Sequence, residues 1–188
     1  GTCSGSNSKS YPNDGDAAVI NAGRQVDVNI DLTSDAPDGP IGSLTIEGDP
    51  SNTFLGFVDQ DMDVSGSVSN SGKIELYNSR VGAGSMTIGG DYSGSGDIVG
   101  DGPNNTSLTV SGELTNDGSV TMAGAPLTLG DFQNNSDINM GGGTFSATGT
   151  PDSRNDGAIT LGSDGLLDVE GDFFNDTGSS IDFSNSTI

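Results

Sequence analysis

A short unit recurs along this chain with its residue types in a fixed order, and that recurrence restricts the fold more than any other feature. Apolar-polar-apolar strands begin at Val26-Asp27-Val28, Leu44-Thr45-Ile46, Met62-Asp63-Val64, Met86-Thr87-Ile88, Leu108-Thr109-Val110, Leu127-Thr128-Leu129, Phe145-Ser146-Ala147 and Leu167-Asp168-Val169. They are spaced by 18, 18, 24, 22, 19, 18 and 22 residues. A Gly follows each of the last seven, commonly with an acidic and then a larger apolar residue, as in Gly90-Asp91-Tyr92, Gly112-Glu113-Leu114, Gly130-Asp131-Phe132 and Gly171-Asp172-Phe173. Two residues on stands Asn70, Asn116, Asn134 or Asn175, and past a Gly or Ser turn a second alternating strand begins at Ile74, Val120, Ile138, Ile159 or Ile181.

Alternation of period two gives each strand one inward and one outward face, while Gly and Asn accept the left-handed backbone of sharp corners. Strands this short cannot bury a face as independent hairpins. Stacked as successive turns of a parallel coil they can, because equivalent residues then lie ~4.8 Å apart and the apolar positions merge into internal columns. About 20 residues per coil suit three short sides. The pattern therefore predicts an all-β parallel β-solenoid of about eight coils over residues 26–188, preceded at residues 1–25 by an extension or assembly segment. The longer spacings read as loops leaving one corner, at 78–85 and 100–107. An antiparallel sandwich also has many short strands, but it gives no reason for one residue type to recur at one phase of every unit.

Composition agrees. With 30% hydrophobic and 5% aromatic residues, the chain supports a core only if its apolar residues are placed regularly. Twenty-seven acidic residues against five basic ones give a net charge of −22, which repels phosphate backbones and anionic lipid and argues against nucleic-acid or membrane-surface roles. No apolar run is long enough to cross a bilayer as a helix.

Stretches such as Leu108-Thr109-Val110-Ser111-Gly112-Glu113-Leu114-Thr115-Asn116-Asp117-Gly118-Ser119-Val120 resemble the Gly/Asn-punctuated β-helix repeats of secreted surface proteins, as in filamentous-haemagglutinin-type adhesins and autotransporter passenger domains. The resemblance spans roughly residues 26–183. It implies a right-handed parallel β-helix, secreted or held at a cell surface, serving as stalk, adhesin or fibre, and it brings no common catalytic motif.

An enzyme is not expected. His is absent, Cys3 is near the start, and Arg24, Arg80 and Arg154 stand in unrelated phases of the repeat. Cys3 reads as a solvated or interchain thiol. The candidate for ion chemistry is the acidic column Asp91, Glu113 and Asp131, where calcium between repelling carboxylates could steady the stack; the plainer reading is a hydrated acidic face. Thr45, Thr87, Thr109 and Thr128 share an outward phase, which strand propensity explains. Asn104, Asn105, Asn134, Asn175 and Asn185 each begin an Asn-x-Ser/Thr glycosylation acceptor.

The expected function follows from the ends. A solenoid presents unpaired backbone groups and apolar columns at both faces, normally covered by a cap, and no capping segment is evident. Ala17, Val19 and Ile20 at one end and Ile181, Phe183 and Ile188 at the other are the expected assembly residues of a homopolymer: a filament, tube, sheath or surface layer. The alternative is a cell-surface adhesin or stalk domain that binds a host or matrix ligand; carbohydrate or the cell envelope is a further candidate partner.

Overall fold

The structure, a computed structural model, describes residues 12, 15–33, 39–78, 82–100, 106–149 and 152–183. It is a parallel β-solenoid of about seven turns, with strands and no helix among the described residues. Each turn visits three sides. The first side carries Met62–Val64, Ser85–Ile88, the opening halves of Ser107–Asn116 and Leu127–Asn134, then Thr144–Ala147 and Leu166–Val169. The second carries Ala17–Ile20, Ser43–Ile46, Val68–Asn70, Tyr92–Gly94, the closing halves of the same two long strands, Ser153–Asn155 and Phe173–Asn175. These two sides share one 12-stranded sheet, and the third forms a separate 8-stranded sheet from Gln25–Val28 to Ser180–Asp182. One antiparallel pair, Tyr77–Asn78 with Gly82–Ala83, forms a separate sheet that overlaps the expected loop at 78–85.

Alternation produces the inward columns. On the first side Met62, Met86, Leu108, Leu127 and Phe145 lie one above another, all buried. On the second side Leu44, Val68, Tyr92, Leu114 and Phe132 do the same, and on the third Leu55, Ile74, Ile98, Val120, Ile138 and Ile159. Each such side chain contributes ~1.5–3 kcal/mol on burial, so a narrow coil needs no round core.

The register corrects the alignment at its start. From Met62 onward the aligned strands do share one side. Leu44, however, stacks on Val68 of the second side, and Val26 stacks on Leu55 of the third. The first-side column begins instead at Leu32, bridged to Met62. All three sides use the same apolar-x-apolar pattern, so pattern alone does not say which side a strand occupies. Thr45 accordingly leaves the threonine column, since it pairs with Ser69 while Thr87, Thr109 and Thr128 are neighbours. The expected eight coils become about seven turns, and pairing already begins at Ala17, opposite Ser43.

At the corner between the second and third sides runs a buried asparagine ladder. Asn116 donates from Nδ2 to Oδ1 of Asn134 at 2.8 Å, Asn134 to Asn155 at 2.8 Å, and Asn155 to Asn175 at 2.8 Å. The same amides also donate to the carbonyls of Asp137, Ala158 and Ser180 on the following turn, joining each corner to the next. Gly94 interrupts the ladder: a Cβ there would strike the carbonyl of Asn70. The hydroxyl of buried Tyr92 takes over, accepting from Asn70 Nδ2 at 3.0 Å. Burial pushes the Tyr92 phenol up to about 12, with Asn70 opposing and the Asp97 charge adding to the rise, so the ring stays neutral.

Candidate functional site

The flanks of the coil are polar and its two ends are not. Val19, Val26, Leu166, Phe174 and Phe183 are the exposed large hydrophobic residues among those described, and every one belongs to the first or the last coil. Val19 is 50% exposed on Ala17–Ile20 and Phe174 is 47% exposed on Phe173–Asn175, each on the outward face of its strand. Val26, Ile181 and Phe183 occupy positions that are inward and buried in intervening coils, where Leu55, Ile74, Leu76 and Met122 stand. What uncovers them is position at an end, since those strands pair on one edge only among the described residues.

Of the residues read as assembly positions, Ala17 and Val19 point outward, Ile20 is buried, and Ile181 is half-buried beside exposed Phe183. Ile188 lies outside the described residues. Sequence reasoning missed Phe174 and Val26, whose exposure depends on which coil they occupy.

The acidic column forms as expected from its phase. Glu113 stands beside Asp131, and the backbone N–H of Glu113 donates to Asp91 Oδ1 at 3.0 Å. No group of three or more acidic, His or Cys side chains is placed to hold a metal ion among the described residues. Partial burial and the Asp91 charge hold the Asp131 carboxyl above the ordinary range. A carboxyl raised in this way favours the fold below its unfolded value, and that contribution is lost as pH rises through the folded one. Asp131→Asn should therefore raise the thermal midpoint at pH 7, by up to about 1 kcal/mol of stability, and the gap should close on acidification. Thermal melts of both proteins at pH 7 and pH 3.5 check this.

At the last two coils Arg154 donates from Nε to Asp156 Oδ2 at 2.9 Å and reaches Asp176 with its other end. Its two carboxyls move apart. Asp156 is lowered, by its hydrogen bond with Asp176 and then by Arg154, and Asp176 is raised, chiefly by that same bond. A third ion pair joins Lys73 to Glu75 at 2.6 Å. These pairs set Lys73 and Arg154 against neighbouring acids.

Two glycosylation candidates can be placed. Asn134 is fully buried and its amide is engaged in the ladder, so the folded chain has no room for a glycan there; this corrects its reading as an acceptor. Asn175 is exposed at the last coil, where a glycan would obstruct the end face. Asn104, Asn105, Asn185 and Cys3 lie outside the described residues.

Compared with family models, curated proteins and solved structures, the chain matches none.

Proposed function

We propose that this chain is a structural subunit of an extracellular filament, tube or surface layer, assembled by strand pairing between coil ends of successive copies. The observation that carries this reading is the confinement of the exposed large apolar side chains to the first and last coils. An apolar patch on an otherwise polar soluble surface marks a contact site. Here they lie on or beside strands that pair along one edge only among the described residues, and such an edge templates the pairing of a further strand. Joining one end to the other is heterologous and repeats without limit unless a rotation closes it, so the product is a fibre or a tube wall. The resemblance of the repeats to secreted adhesin and passenger-domain β-helices points to the same setting outside the cell.

The charge shapes the assembly. At −22 per copy, flanks repel flanks, which favours thin fibres over lateral clumps. Salt or divalent cations such as calcium act as screening counterions and promote bundling. Sedimentation velocity over a range of concentration and ionic strength tests the reading. Species that grow with both are expected. A single monomeric boundary throughout, with calcium included, would overturn it and leave the adhesin or stalk reading ahead.

A further inference from the structure

We infer that copies join in register, as though the coil simply continued: Phe173–Asn175 of one copy receives Ala17–Ile20 of the next, and Ser180–Asp182 receives Gln25–Val28. This rests on the end-to-end reading above and adds to it the partner strands and their alignment. The outward column of the second side supplies the alignment. Read from first coil to last it runs Val19, Thr45, Ser69, Ser93, Thr115, Gln133, Arg154 and Phe174. It is polar at every level except its two extremes, which are the two exposed apolar residues of that side. In-register joining sets Phe174 directly beside Val19, an aromatic and β-branched pair of the kind that stabilises neighbouring strands. A shift by two residues would instead lay Val19 against Asp172 or Phe174 against Ala17.

The corner column agrees. It carries Asp91, Glu113, Asp131 and Asp172 in the later coils but Ala17 and Ser43 in the first ones. Joined in register, Asp172 meets Ala17 and not another carboxylate. The side-chain ladder itself ends at this junction: Asn175 accepts from Asn155, and in this register its level meets Ile20, so its amide is left to the backbone carbonyl of Gln25, as the Asn155 amide uses that of Ser180. On the third side Asp27 comes beside Asp182, a like-charge contact that makes the junction dependent on ionic strength.

Disulfide trapping tests the register in the full chain. In a Cys3→Ser background, Val19→Cys with Phe174→Cys places the two thiols on adjacent parallel strands, within disulfide reach at ~4.8 Å between Cα atoms. Within one copy they stand seven levels apart, roughly 34 Å, so any bond is between copies. Val19→Cys with Asp172→Cys probes the shifted register. Mild oxidation at raised salt should give a ladder of covalent multimers with the first pair and none with the second. Multimers from the second pair alone overturn the alignment. Neither pair linking while sedimentation still shows polymer overturns this junction and leaves end-to-end assembly standing. Monomer by sedimentation with neither pair linking overturns both.

Discussion

Phe132→Ala should lower the unfolding free energy by about 3–5 kcal/mol, the range for deleting a fully buried aromatic ring, out of the 5–15 kcal/mol typical of a whole domain. Phe132 is 1% exposed and its ring meets Phe145 at 4.9 Å and Phe173 at 5.8 Å between centroids. The second contact spans two levels of the stack, and the small side chain of Ser153 in between makes room for it. One ring therefore ties the last three levels together. In a stack where each turn touches only its neighbours, the loss should be local before it is global. Amide exchange should quicken first in Thr144–Ala147, Leu166–Val169 and Phe173–Asn175, while Lys73–Glu75 and Ser85–Ile88 keep their protection. A loss below about 1 kcal/mol, or protection falling evenly along the chain, would contradict the packing described.

The second large effect concerns the ladder. Asn134→Ala should cost about 2–4 kcal/mol, because it strips a donor from Asn155 Oδ1 and an acceptor from Asn116 Nδ2 in a buried corner. Asn116→Ala should cost less, about 1–2 kcal/mol, since Asn116 Oδ1 is already without a partner and only its donor side is lost. Asn134→Asp separates hydrogen bonding from volume. At pH 7 it sets a carboxylate oxygen against Asn155 Oδ1 and should be the worst of the three, and on acidification the protonated carboxyl can donate and recover part of the loss. Urea unfolding of the three variants at pH 7 and pH 4 decides. Equal midpoints for Asn134→Ala and the parent would remove the ladder from the account of stability.

Much of this architecture was legible because a solenoid writes the same physical problem once per turn. From Met62 to Leu167 the sequence alignment gave the stacking of the first side, and Ile74, Val120, Ile138, Ile159 and Ile181 gave the third. The first coils were misplaced for a physical reason. Val26-Asp27-Val28 and Leu44-Thr45-Ile46 satisfy the alternation of any side, and only hydrogen-bond register separates them. Asn155 escaped the asparagine column because it stands further along the sequence from Gly149 than Asn134 does from Gly130, which breaks the repeat spacing. The acceptor pattern at Asn134 reads the same whether the side chain faces solvent or the ladder. For the acidic column the phase was legible; whether carboxylates at that phase converge on an ion depends on side-chain direction, which the repeat does not encode.

The proposed assembly is tested most directly by the axial repeat of the native material in electron micrographs. The second and third sides each present eight levels per copy, so in-register joining advances one copy by about eight strand spacings, roughly 38 Å. Thin filaments or tube walls with that repeat, and with strands running across the axis, are expected. Monodisperse particles at high concentration and ionic strength, or fibres whose repeat is unrelated to that spacing, would contradict the proposed assembly.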